Sequence, residues 1–106
     1  MSTTTTTPAL FSPIQVGDMK LAHRVVLAPL TRLRNDDAHV PTALGLEYYT
    51  QRSSVPGTFL ITEAAFVSPE ASGVPNAPGI WNEAQISAWK KVLCNVRTLP
   101  ARCRLN

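Results

Sequence analysis

Two runs of apolar residues predict the two buried strands around which the rest of the chain is arranged. The first, Val25–Arg32 (VVLAPLTR), is β-branched and aliphatic as far as Pro29, and the second is Thr58–Val67 (TFLITEAAFV). Runs of this length without polar alternation are typical of strands that are buried on both faces in a parallel sheet. Because proline cannot donate a ladder hydrogen bond, the first strand should end at Pro29.

A hairpin is predicted ahead of these strands, and a helix is predicted between them. In Leu10–Leu21, apolar and polar positions alternate on either side of a Gly17–Asp18 turn. The segment Pro41–Ser53 has the composition of a helix, with Thr42 as its expected N-cap. Its spacing predicts that three side chains share one face: Leu44, Tyr48 and Gln51.

A long loop and a second helix are predicted after the second strand. The segment Ser68–Trp81 is rich in glycine and proline, which favour an extended loop. Asn82 followed three residues later by Gln85 has the spacing of a capping box, which predicts the start of a helix. Three apolar residues then follow at helical spacing and predict its buried face: Ile86, Trp89 and Leu93.

The predicted order is hairpin, strand, helix, strand, long loop, helix, which places the chain in the α/β class. Two buried strands, each followed by a helix, begin either a β/α barrel or a doubly wound sheet. A hairpin before the first strand favours the barrel, where it can cover the bottom. A (β/α)8 or TIM barrel takes roughly 250 residues, so 106 residues supply about two of its eight units, an incomplete N-terminal portion.

The end of the first strand is the first candidate for a functional site. In α/β folds, ligands bind outside the carboxyl ends of the strands. Thr31 lies just beyond Pro29, where its hydroxyl could face a ligand. The alternative is that Thr31 only starts a turn and that Arg32 is a solvated surface charge. The residues alone leave both interpretations open.

Charge is distributed unevenly along the chain. Residues 1–89 carry five basic and seven acidic side chains, whereas residues 90–106 carry five basic side chains and no acidic one. A basic tail can contact nucleic acid or an acidic membrane. This tail has no interleaved aromatic residues and no amphipathic pattern, so we expect neither partner.

The remaining composition indicates a globular protein of a reducing compartment. The threonine-rich start of the chain, residues 1–9, predicts a disordered leader, and no signal peptide or apolar run of membrane-spanning length is present, so a cytoplasmic location is expected. Cys94 and Cys103 fit no metal-ligand spacing with His23 or His39, and no metal site is expected.

Four segments of the chain resemble the N-terminal quarter of the Old Yellow Enzyme family. They are LFSPIQVGDMKLAHRVVLAPLTRLR, EYYTQR, GTFLITEAAFVSPEASG and PGIWNEAQISAWKKV, and the resemblance runs from residue 10 to residue 92 in a form similar to fungal members. The family implies an FMN-dependent ene-reductase on a (β/α)8 barrel. Its members take hydride from NADPH or NADH and reduce activated C=C bonds, such as those of small-molecule enones.

The resemblance also implies which residues lie against the cofactor. The family's "APLT" backbone packs on the flavin, and these positions are Ala28, Pro29, Leu30 and Thr31. The threonine there donates a hydrogen bond to flavin O4, which stabilises the electron-rich reduced ring. A small residue under the flavin edge corresponds to Ala64. Arg32 and Glu63 follow neighbouring strands, and we expect a structural ion pair between them.

The chain departs from the family in its loop and at its end. Many members have a tyrosine after the position of Gly73, where this chain has Val74. Residues 93–106 form a basic tail in which Pro100 should break the helix and no apolar strand is expected. An intron read-through, a frameshift or a truncated gene model would explain the change. The family's acid tyrosine, its His/Asn pair and its phosphate-binding arginines have no counterpart here.

Two hypotheses of function follow. The chain is either a fragment of an ene-reductase, inactive alone, with no catalytic residue of its own, or a non-catalytic product that acts only through protein–protein association. The non-catalytic product would be a pseudogene product or a short isoform. Because apolar strands with open edges are templates for pairing, we expect the chain to self-associate.

Overall fold

The computed structural model describes residues 6–98 and 102–104, which form one hairpin, a short parallel sheet and two helices. Short 3-10 turns at Ala9–Phe11 and Pro69–Ala71 complete the regular structure. The elements in chain order are β1 (Ile14–Val16), β2 (Met19–Leu21), β3 (Val26–Leu27), α1 (Ala43–Arg52), β4 (Phe59–Ile61), α2 (Glu83–Thr98) and β5 (Arg102–Arg104).

The predicted hairpin is confirmed. Strands β1 and β2 pair antiparallel, with Ile14 opposite Leu21, and Gly17 adopts a positive φ of 56° in the turn between them. The β2 side chains Met19 and Leu21 are buried. The residue after β2, Ala22, donates its N–H to the Gly57 carbonyl at 3.1 Å, which holds the hairpin to the segment that leads into β4.

The two buried runs form neighbouring parallel strands, as predicted, but the strands are shorter than the runs. β3 pairs with β4 in the register Val26–Phe59 and Leu27–Leu60. Leu60 is fully buried, whereas Val25 and Val26 are 47% and 40% exposed. The expectation that the first strand is buried on both faces is therefore wrong for this chain. Among the described residues, β3 has a sheet neighbour on one edge, so its side chains have less to pack against.

A third parallel strand occupies the part of the tail where no apolar strand was expected. β5 pairs with β4, with Leu60 opposite Cys103, and completes the order β3–β4–β5. The pairing uses backbone groups, which any residue but proline supplies, so the basic sequence did not predict it. Residues 1–5, 99–101 and 105–106 are outside the described part of the chain, and most of the predicted leader and Pro100 are among them.

Helix α1 begins after Thr42, as predicted, but Thr42 does not cap it through its side chain. The Thr42 hydroxyl donates instead to the Arg34 carbonyl at 2.6 Å, which ties the helix start to the loop before it. The buried face also differs from the predicted one. Tyr49 is 2% exposed and Leu44 is 59% exposed, because the helix turns its tyrosine toward α2 and β4.

The predicted capping box at the start of α2 is confirmed. Asn82 Oδ1 accepts the Gln85 N–H at 2.9 Å, and Gln85 Oε1 accepts the N–H groups of Trp81 and Asn82 at 2.9 and 3.3 Å. The buried face is displaced from the predicted one, however. Trp89 is buried as expected, but its buried neighbours are Val92 and Val96, while Ile86 and Leu93 are half-buried.

The core lies between the two helices and the sheet. It consists of five buried side chains that contact one another: Tyr49, Leu60, Trp89, Val92 and Val96. Burying large apolar side chains of this kind is worth roughly 1.5–3 kcal/mol each. In the described part of the chain, no helix has both the length and the hydropathy needed to cross a membrane.

Candidate functional site

The five residues expected to contact a cofactor lie together at the carboxyl edge of the sheet. Ala28, Pro29, Leu30 and Thr31 follow β3, and Ala64 follows β4. The two strands run parallel, with Val26 opposite Phe59 and Leu27 opposite Leu60, so the segments that follow them leave the sheet at the same edge. All five are exposed. We call these five residues the strand-end surface.

The strand-end surface offers an apolar platform with one polar donor. Leu30 is 49% exposed, and the alanines and the proline have no polar side-chain atoms. No group in the described part of the chain hydrogen-bonds the Thr31 hydroxyl. A flat heteroaromatic ring with a carbonyl at its edge fits such a surface, because the platform contacts the ring face while the hydroxyl donates to the carbonyl. The residues present therefore fit a flavin.

The peptide group after Thr31 is held from both sides. The Arg32 N–H donates to Glu63 Oε2 at 3.1 Å, and Arg32 Nε donates to the Thr31 carbonyl at 3.3 Å. Arg32 and Glu63 thus meet as the sequence predicted, but the contact differs from the expected ion pair. The carboxylate accepts the backbone amide of Arg32, and the guanidinium of Arg32 turns back onto its own chain.

Glu63 is a buried acidic side chain that follows the end of β4. It is 4% exposed, and its backbone N–H donates to the Tyr49 hydroxyl at 2.9 Å. Burial raises the pKa of the Glu63 carboxyl above its ordinary value of 4.5, and the Arg32 amide hydrogen bond and the Arg32 charge oppose that rise. The sequence did not indicate the role of Tyr49, since EYYTQR offers two adjacent tyrosines.

A cleft lies beside the strand-end surface and was not predicted. Its volume is about 360 Å³. Arg52 lies over the Tyr48 ring, with 3.7 Å between the guanidinium carbon and the ring centroid, and Arg32 lies at 5.9 Å from the same ring. The residues that line this arginine cleft are Arg32, Arg34, Leu44, Gly45, Glu47, Tyr48, Gln51, Arg52 and Glu63.

The long loop between β4 and α2 is tied to the loop that follows β3. The side-chain amide of Asn35 donates to the backbone carbonyl of Asn76, and the side-chain amide of Asn76 donates to the backbone carbonyl of Asn35, each at 2.9 Å. His39 Nδ1 contacts the Ala77 carbonyl at 2.6 Å. Val74, which departs from the tyrosine expected from the family resemblance, is 45% exposed on this loop. Within the described residues, no three His, Cys, Asp or Glu side chains converge as metal ligands do.

Comparison with known proteins agrees with this geometry. The sequence model of the NADH:flavin oxidoreductase / NADH oxidase family matches residues 9–103. The chain is 55% identical over 83 residues to NADP-dependent oxidoreductase lnbE of Aspergillus flavus and 58% identical over 83 residues to chanoclavine-I aldehyde reductase fgaOx3 of Penicillium roqueforti. Each match covers 78% of this chain and 22% of the relative. A third relative, probable inactive reductase easA of Epichloe festucae var. lolii, is 49% identical over 87 residues, which are 82% of this chain and 23% of the relative.

Two solved structures superpose on nearly all of the chain. Old Yellow Enzyme from Pichia sp. AKU4542 matches 92% of this chain and 25% of its own, with a TM-score of 0.87 and 39% identity. Morphinone reductase in complex with tetrahydroNAD matches 93% of this chain and 26% of its own, with a TM-score of 0.83 and 44% identity. The predicted fold is confirmed: the chain spans about a quarter of a TIM barrel of this type.

The burial of Glu63 predicts how its carboxyl titrates. The titration midpoint of this carboxyl should lie above pH 4.5 when its ¹³C chemical shift is followed as a function of pH. The folded chain then keeps a proton that the unfolded chain has released, so rising pH from 4.5 upward weakens folding through this group. The variant E63Q should lack that pH dependence, with E47A as a control for an exposed glutamate of the same cleft. A midpoint at or below 4.5 would contradict the burial argument.

Proposed function

Because the chain belongs to the NADH:flavin oxidoreductase / NADH oxidase family, we propose that its strand-end surface forms part of the FMN site of an ene-reductase of the Old Yellow Enzyme type. The observation that carries this proposal is that two exposed residues, Thr31 and Ala64, follow the carboxyl ends of two neighbouring parallel strands. The chain spans about a quarter of the length of the relatives, so the complete reaction is proposed only for a whole barrel that contains this segment.

The roles of this chain's residues follow from their positions. The backbone and side chains of Ala28–Leu30 would contact the face of a bound flavin ring and exclude water from it, and the small side chain of Ala64 would leave room for the ring edge. The Thr31 hydroxyl donates to the ring carbonyl and stabilises the negative charge of the reduced state. The cofactor supplies hydride transfer from NADPH or NADH to an activated C=C bond, with enones as the substrate class.

The relatives support this assignment. The Aspergillus flavus relative is called an NADP-dependent oxidoreductase, and the structural neighbour morphinone reductase was solved with tetrahydroNAD. Both names point to a nicotinamide as hydride donor. None of the residues that we place on the strand-end surface is charged, which suits a ring system and leaves the phosphate to other parts of a barrel.

A second candidate is a non-catalytic protein that acts through association. The Epichloe relative is called a probable inactive reductase, and it matches this chain over a similar length. Val25 and Val26, at the start of β3, are exposed, and one edge of β3 has no sheet neighbour among the described residues, so another strand could pair there. In this case the strand-end surface would bind no flavin, and the edge of β3 would be the functional surface.

Replacing Thr31 tests the first candidate. The test uses a chimera in which the 83 matching residues of this chain replace their counterparts in the Aspergillus flavus relative. The variant T31A should lower the two-electron midpoint potential of the bound flavin. Loss of one hydrogen bond to a charged group costs roughly 1.5–3 kcal/mol, which corresponds to about 30–65 mV.

The matched control for this test is T31S, which keeps the hydroxyl and should keep the potential. Hydride transfer from NADPH, measured by stopped-flow absorbance, should slow in T31A and not in T31S. If the unsubstituted chimera, T31A and T31S all bind FMN with the same midpoint potential, Thr31 does not face the ring. A chimera that folds without binding FMN would favour the second candidate.

The open edge of β3 predicts self-association of the 106-residue chain. We expect sedimentation velocity to show species larger than 11.5 kDa. The variant V26K places a charge on the edge strand, which opposes strand pairing, and should shift the distribution toward monomer. The control K20E changes the charge of an exposed hairpin residue and should leave the distribution unchanged. A monodisperse monomer with a sharp thermal transition would contradict this expectation.

A further inference from the structure

We propose that Glu63 is a positioning residue for Thr31: its carboxylate fixes the peptide group between Thr31 and Arg32 and thereby sets the direction of the Thr31 hydroxyl. The proposal rests on the proposed function, since it concerns the hydroxyl that would contact the flavin. Glu63 itself lies behind the strand-end surface, is 4% exposed, and makes no contact with the cofactor in this account.

The loop after β3 needs such a contact, because the regular ladder ends before it. The last paired residue of β3 is Leu27, and Thr31 and Arg32 lie beyond Pro29, without strand hydrogen bonds of their own. The hydrogen bond from the Arg32 N–H to Glu63 Oε2 joins this loop to the chain after β4 next to Thr31, whereas the Asn35–Asn76 bonds join it further along. Without it, the Thr31–Arg32 peptide keeps only the Arg32 Nε bond to its carbonyl, and we expect the orientation of Thr31 to be less well defined.

Glu63 in turn is fixed by the core. Its N–H donates to the hydroxyl of Tyr49, which is 2% exposed and packs against Trp89 with 6.1 Å between the ring centroids. A continuous series of contacts therefore runs from the buried side of α2, through α1 and the end of β4, to the peptide beside the candidate cofactor site. Contacts of the buried core therefore extend to the exposed edge through Tyr49 and Glu63.

A carboxylate serves this role better than a neutral acceptor would. A hydrogen bond to a charged acceptor is shorter and stronger than one between neutral groups. The guanidinium of Arg32 adds an attractive charge near Glu63, and its Nε bond to the Thr31 carbonyl holds the other side of the same peptide. The other glutamate of the arginine cleft, Glu47, is exposed and contacts Gln51 on its own helix, so it provides a matched control.

Amide hydrogen exchange of the 106-residue chain tests the positioning without any flavin. In E63A, the Arg32 amide should exchange about tenfold faster or more, because its acceptor is lost. E63Q keeps an oxygen acceptor and should retain most of the protection, and E47A should leave the rate unchanged. The proposal is contradicted by unchanged exchange in E63A, or by equal acceleration at Met19 and Leu21 in the hairpin, which would indicate a general loss of structure.

The flavin potential of the chimera tests whether Glu63 acts through Thr31. E63A should lower the potential in the same direction as T31A, and E63A should add little to T31A in the double variant. If E63A lowers the flavin potential by the same amount with Thr31 present and with T31A in place, the proposal is overturned. If T31A alone leaves the potential unchanged, the proposed function fails, while the exchange experiment still decides whether Glu63 fixes the peptide.

Discussion

Parallel pairing of β3 with β4 is the constraint on which the other features depend. It brings the two strand ends, and with them the segments that carry Thr31 and Ala64, to one edge of the sheet. It also places Glu63 within hydrogen-bond distance of the Arg32 amide. Neither residue is close to its partner along the sequence, so the candidate site exists only because the register is fixed. A slip of one residue would turn the alternate side chains to the opposite face.

The candidate site combines an exposed surface with a buried support. Ala28–Thr31 and Ala64 are open to solvent, whereas Glu63 and Tyr49 behind them are almost fully buried. Burial of a carboxylate is unfavourable, and it dominates the pKa of Glu63 over the two stabilising effects of Arg32. The hydrogen bond from the Arg32 amide gives this buried carboxylate a geometric role at the strand end. A buried polar group that is hydrogen-bonded can specify one arrangement.

The sequence predicted local features well and relations between distant segments less well. The hairpin, both helices, the two parallel strands and the Asn82–Gln85 capping box follow from short-range patterns and were predicted. The buried faces of the helices depend on how the helices pack, which shifted the core from Leu44 to Tyr49 and from Leu93 to Val92. β5 was missed because backbone pairing does not require apolar side chains.

The candidate site was predicted in part for the same reason. The strand-end residues follow from the rule that ligands bind at carboxyl ends, and from the family's motif. The contact between Glu63 and Arg32 was predicted only as a pairing of opposite charges. The sequence does not indicate that the Glu63 carboxylate accepts the backbone N–H of Arg32 and not its guanidinium. The arginine cleft combines residues of α1 with both strand ends, and no spacing along the chain indicates it.

The most direct test is to map by NMR which residues of the chain contact a flavin. Addition of FMN to the ¹⁵N-labelled 106-residue chain should shift the amide resonances of Ala28, Leu30, Thr31 and Ala64 most strongly. Lumichrome, which has the ring system without the phosphate chain, should shift the same four resonances. Shifts centred instead on Arg34 and Arg52 in the arginine cleft, seen with FMN and absent with lumichrome, would contradict the account.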